Sequence, residues 1–133
     1  MPINVIINVL IDKSIHLGGY VTSMNKKYLD DFIICLNEER YFDAHEALEA
    51  IWFPRRFEKS DEMQLLRGYI NAAVSFELVK RGRRDPAIKV FKTYKKYKIL
   101  LCETESVYHN KYLRIQNRIE DLVNEKQWLF LGL

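Results

Sequence analysis

Residues 60–82 read SDEMQLLRGYINAAVSFELVKRG, and this stretch decides the fold. Ser60 stands where an N-cap belongs, since its hydroxyl can accept from a backbone N–H that the first helical turn leaves without a partner. Asp61 and Glu62 then place carboxylates at the positive end of the helix dipole, and Gly82 supplies a stop. Between these signals Met63, Leu65, Leu66, Tyr69, Ile70, Ala72, Ala73, Val74, Phe76, Leu78 and Val79 cover the helix on nearly every side. A helix with so little polar face has to be surrounded by others, so this third helix is the centre of an all-α single-domain bundle.

The flanking sequence supplies four more helices. Upstream, 26–39 carries Leu29, Phe32, Ile33 and Leu36 at helical spacing, and 43–52 opens on Asp43 as a candidate N-cap and breaks at Pro54 and the Arg55-Arg56 pair. Downstream, Asp85-Pro86 reads as an N-cap followed by proline at the first helical position, which starts a helix over 85–101. A fifth helix over 108–125 buries Leu113, Ile115, Ile119, Leu122 and Val123, and the tail 128–131 folds back to bury its aromatics. Nothing alternates as a strand does after the first ten residues.

At 133 residues, 48% hydrophobic and 29% charged, the chain fits one globular domain and has neither the charge excess nor the Pro/Gly bias of a disordered chain. Residues 1–23 read differently from the rest, as an N-terminal extension that is disordered or an artefact of the gene start, with the helical domain running from Met24 to the end. The apolar run 3–11 is too short to span a bilayer and has no basic segment before it, so the reading is a cytoplasmic protein without a membrane anchor. The two cysteines, Cys35 and Cys102, lack metal-ligand or CxxC spacing and read as buried thiols.

One stretch departs from plain amphipathic patterning. In YFDAHEALEAIW, residues 41–52, the helical period puts His45, Glu49 and Trp52 on one side, with Leu48 beside them and Glu46 at the edge. Polar groups that share a face with apolar ones need partners. Three readings meet that need. A divalent metal would take His45 and Glu49, four apart on one face, although the sequence HExxE lacks the second histidine of a metalloprotease helix and neither His16 nor His109 stands as an obvious third ligand. A metal-dependent enzyme is the reaction-bearing form of this reading, and no catalytic residue is assigned. A small-molecule pocket would join His45, Glu46, Glu49 and Trp52 to Arg67 and Asn71 of the third helix, with arginine orienting an anionic ligand. A structural network would hydrogen-bond His45 to a carboxylate, pair Glu49 with Arg67 and pack Trp52 as core.

The 41–52 segment, with LRGYINAA at 66–73 and KRG at 80–82, resembles domain-of-unknown-function family 309, whose members carry a YxEAHExLExxW-type segment. The resemblance implies a small helical bundle, draws attention to His45, Glu46, Glu49 and Trp52, and implies that Gly68 is a close-packing position. It implies no activity. This chain departs from the pattern where relatives carry glutamine on the third helix, having Arg67 and Asn71, and where relatives carry a histidine near that helix's end, having Glu77 or Leu78.

A second surface is basic. Lys80, Arg81, Arg83, Arg84, Lys89, Lys92, Lys95, Lys96 and Lys98 face one acid, Asp85, while the whole chain is only +3, so the positive potential is local. Arg83, Arg84, Lys89, Lys92, Lys95 and Lys96 are its candidate contacts to nucleic acid or an acidic partner protein. Tyr94 and Tyr97 either stack on bases or, with Val90 and Phe91, belong to the core. The aromatic tail either pairs two copies as a homodimer or covers its own core.

Overall fold

The computed structural model describes residues 18–133, with side chains described from Met24 onward. Among these residues five α-helices follow one another: α1, Gly18–Asn37; α2, Tyr41–Trp52; α3, Asp61–Lys80; α4, Arg84–Tyr97; and α5, His109–Glu125. Short 3₁₀ turns cover Phe53–Arg55, Lys98–Glu103 and Leu129–Leu131. The fold is the all-α bundle that the periodicity predicts. The boundary expected at Met24 falls inside α1, and the part of the expected extension before residue 18 lies outside the described residues.

The central helix is α3, which packs against α2 on one side and α4 on the other and also touches α5, while α1 lies against α2 and α5. Ser60 caps α3 as its sequence requires, its hydroxyl accepting from the Met63 backbone N–H at 3.3 Å. At the other end Gly82 adopts φ 74°, and the Arg83 and Gly82 N–H groups return to the Leu78 and Val79 carbonyls, a Schellman stop. The same closure ends α1 at Glu39, φ 60°, and α5 at Gln127, φ 58°. Neither is a glycine. Those two stops therefore carry no sequence signature of the kind that marks Gly82.

Several expected boundaries shift for local reasons. Helix α2 starts at Tyr41 rather than at Asp43, which sits in the first turn and takes an ion pair from Arg40 at 3.0 Å. Asp85 is likewise inside its helix: α4 begins at Arg84 after Arg83, and no side chain caps it. Its α-helical hydrogen bonding stops at Tyr97, and the chain tightens into the 3₁₀ turn up to Glu103. In α5 the buried stripe is Tyr112, Ile115, Ile119, Leu122 and Val123, with Leu113 on the exposed side. Cys35 is buried as expected; Cys102 is exposed.

Close approach of α3 and α4 depends on Gly68. A Cβ there would meet the Tyr97 Cβ at 3.2 Å, tighter than an ordinary contact, and the Tyr94 Cα at 3.6 Å, so this glycine lets the two helices approach without the few tenths of an ångström of adjustment that even alanine would require. The core around this contact is rich in tyrosine. Tyr41, Tyr69, Tyr94 and Tyr112 are all fully buried, and three of them deliver their hydroxyls to acceptors on other elements. Tyr69 donates to Gln116 at 2.9 Å, Tyr94 to Glu120 at 2.6 Å and Tyr112 to Glu62 at 2.5 Å. Glu120 also receives Lys98 at 3.1 Å, and Glu62 receives the Ser106 hydroxyl at 2.8 Å. The Tyr41 hydroxyl is buried and has no hydrogen-bond partner among the described residues. The tail uses its apolar side chains on its own bundle: Leu131 is buried, and Trp128 packs edge-on to Tyr41 and against Phe76.

Candidate functional site

Helix α2 places His45 and Glu49 one turn apart, and the two side chains meet. His45 Nε2 lies 2.7 Å from Glu49 Oε2, with side-chain exposures of 20% and 21%, so the pair is set into the surface but not sealed from solvent. The other ring nitrogen, Nδ1, lies 2.9 Å from the Phe42 carbonyl, which can only accept. Both ring nitrogens thus face oxygen acceptors. A doubly protonated ring satisfies both contacts against an ionised Glu49; with a neutral ring donating from Nδ1, the shared proton has to come from Glu49. The Phe42 ring stands 5.1 Å from the imidazole and is itself about half exposed.

Across from His45, α3 contributes Val74, Glu77, Leu78 and Arg81, and together with Phe42 these enclose a cleft of about 260 Å³ between the two helices. Glu77 and Arg81 are paired at 2.7 Å, four residues apart near the C-terminus of α3. The cleft is therefore apolar along Phe42, Val74 and Leu78, with one imidazole on one wall and one guanidinium–carboxylate pair on the other. A mostly apolar hollow with a few convergent polar groups has the general composition of a small-ligand site, at the lower end of the usual size.

The six residues singled out on α2 and α3 do not form one constellation. His45 lines the cleft just described, whereas Trp52 and Arg67 line a separate hollow with Arg56, Phe57, Glu58, Lys59, Met63 and Gln64. Arg67 is exposed, and the Asn71 amide turns back along its own helix to the Arg67 carbonyl at 2.8 Å. Glu46, Glu49 and Asn71 line neither hollow. The spacing on α2 was legible, but the register between α2 and α3 brings Glu77 and Arg81 opposite His45 instead of Arg67 and Asn71. Phe42, Glu77 and Arg81 were missed as site residues. The signal available for Glu77 and Arg81 was the i, i+4 carboxylate–guanidinium spacing at the end of α3.

Two further readings concern metal ligands and the tyrosines of α4. Among the described residues no three His, Cys, Asp or Glu side chains are grouped as a bound metal ion requires, so His45 and Glu49 have no third ligand of these types beside them. On α4, Tyr94 is fully buried with its hydroxyl on Glu120, and Tyr97 is half-buried with its Cβ against Gly68. The stacking role on bases is therefore corrected: Tyr94 is core. Of the cations around them, Lys89, Lys92 and Lys96 are exposed along one stripe and Arg83 is exposed before the helix. Lys95 donates to the Gly132 carbonyl, and Arg84 stacks on Phe130 at 4.1 Å, so both hold the tail.

Residues 29–90 match the family model described as Domain of unknown function (DUF309). The family resemblance stands. The matched segment takes in α2, α3 and the start of α4, and so contains the whole His45 cleft. No curated protein and no solved structure matches the chain. Among the described residues no helix is long and apolar enough to cross a membrane.

Proposed function

We propose that this protein binds a small ligand in the α2–α3 cleft, the ligand's apolar body lying on Phe42, Val74 and Leu78 and its polar head directed at His45 and Arg81. The observation that carries the reading is that His45 stands in the wall of a mostly apolar cleft, opposite the Glu77–Arg81 pair of the neighbouring helix. The reading assigns no metal and no reaction, and the ligand's head is the part left for experiment.

Three probes with the same six-carbon tail and different heads, hexanoate, hexanamide and hexylamine, test it by chemical-shift mapping of the Val74 and Leu78 methyls and the His45 ring. Saturable shifts at these groups with at least one head, abolished by Leu78→Trp, which fills the cleft, are the expected result. If all three leave these groups unmoved, the cleft is packing alone.

A second reading is favoured by the exposed stripe of Lys89, Lys92 and Lys96, which gives α4 a continuous positive face for nucleic acid or an acidic protein. Replacing all three with glutamate should abolish heparin retention at low salt. Undiminished retention would overturn it.

A further inference from the structure

The hollow at the far end of α2 carries a different chemistry from the cleft. Its volume is about 240 Å³, and its wall holds Trp52, Phe57 and three cations, Arg56, Lys59 and Arg67. Its one acid, Glu58, is already engaged by Arg55 at 2.9 Å, so the positive charge of the wall is not cancelled from within. Lys59 and Arg67 are exposed, and no carboxylate pairs with either among the described residues.

The aromatic side of the hollow is held open by stacking. The Arg56 guanidinium sits 3.8 Å from the Phe53 ring centroid and 4.5 Å from that of Phe57, and its Nη1 donates to the Phe53 carbonyl at 2.6 Å. One arginine thus contacts both rings through cation–π interaction. Phe57 nevertheless remains 83% exposed. A large aromatic ring kept in water beside unneutralised cations is suited to a ligand that is itself both flat and anionic, because such a ligand covers the ring while meeting the charges.

We propose that this hollow is a binding site for a planar aromatic anion of nucleoside-monophosphate type, with the ring system stacked on Phe57 beside Trp52 and the anionic group held by Arg67 and Lys59. The site is separate from the His45 cleft and does not rest on the function proposed for it. Bidentate contact from a guanidinium favours a phosphate or carboxylate over a lone halide, and the exposed ring discriminates a nucleotide from free phosphate.

Trp52 is the built-in reporter. In the full chain with Trp128→Phe as background, so that Trp52 is the sole tryptophan, its fluorescence is followed during titration with adenosine 5′-monophosphate, adenosine and inorganic phosphate. Saturable quenching by the nucleotide is the expected result, with adenosine and phosphate each at least about tenfold weaker, a loss of about 1.4 kcal/mol for either half of the ligand. Phe57→Ala and Arg67→Glu should each weaken the nucleotide about tenfold while leaving the thermal midpoint unchanged, since both side chains are exposed; His45→Ala should leave affinity unchanged. Absence of saturable quenching, or quenching that survives both substitutions, overturns the site. So does equal affinity for nucleotide and free phosphate.

Discussion

Two sets of polar groups lie inside this bundle, and they differ in what they connect. The tyrosine set spans elements: Tyr94 of α4 reaches Glu120 of α5, and Tyr112 of α5 reaches Glu62 of α3. The contact between His45 and Glu49 lies within one turn of α2. Breaking a bond of the first kind leaves a buried group stranded between helices, whereas breaking the second leaves every helix still packed by its apolar face. Contacts between helices bear on how the helices are held together, whereas a contact within one turn bears first on that turn.

The largest expected effect is alkaline unfolding driven by the tyrosine set. Burial raises the hydroxyls of Tyr69, Tyr94 and Tyr112 well above the ordinary 10.0, with the Glu120 and Glu62 carboxylates adding to the rise for Tyr94 and Tyr112, and burial pushes Tyr41 up to about 12. A folded value above the unfolded one means that the native state holds its protons more tightly. Their contribution is therefore intact below pH 10.0 and is lost as pH rises through 10.0 toward the folded values, at about 1.4 kcal/mol per pH unit for each tyrosine. Helical circular dichroism and tyrosinate absorbance should change together in one cooperative step above pH 10.0. Tyrosinate forming near 10.0 with the helices intact would break the comparison at its stronger end.

Next in size is Glu120→Ala. Glu120 accepts from both Tyr94 and Lys98, so its removal strands a buried hydroxyl and frees a lysine. A loss of about 2 kcal/mol in urea unfolding is expected. A double-mutant cycle with Tyr94→Phe should show coupling of about 1 kcal/mol, because the two side chains touch. No coupling would mean that this pair holds the helices no better than His45 and Glu49 do.

Legibility in the sequence followed the same division. The centre of the fold was readable because α3 announces itself by Ser60, by Gly82 and by apolar residues all round. Two other helix stops were not, because Glu39 and Gln127 take the left-handed conformation that sequence rules associate with glycine. The face of α2 was readable from its period, whereas the residues opposite His45 depend on how α2 and α3 slide past one another. That register is a matter of how the two buried faces fit, Ala44 and Leu48 on α2 and Ala73 and Phe76 on α3 all being buried, and no local spacing encodes it. The same limit explains Tyr94: a lysine-flanked tyrosine reads equally as a stacking platform or as core, and only the helix on the other side decides.

A smaller effect is expected for His45→Ala. The pair it removes is partly exposed and lies within one helix, so thermal or urea unfolding should report a loss of under about 1 kcal/mol, with the α-helical signal unchanged. Loss of several kcal/mol would move His45 into the fold-holding set and weaken the case for a ligand in the cleft.

The smallest effect belongs to Tyr41→Phe, and it tests the comparison most closely. Tyr41 is as buried as the other three tyrosines, but among the described residues its hydroxyl has no acceptor. Its ring still contributes fully, lying 5.6 Å from Phe76 and 6.1 Å from Trp128. Phenylalanine keeps that ring and removes a buried polar atom that gains nothing from the fold, so stability should stay within about 0.5 kcal/mol of the parent or rise. Tyr94→Phe, made in parallel, deletes a hydroxyl bound to a carboxylate and should cost about 1.5 kcal/mol, so the two identical chemical changes should separate. Were they to cost the same, burial of the ring rather than the partner of the hydroxyl would set the value of these tyrosines, and the inter-helix bonds would lose their claim to hold the bundle together.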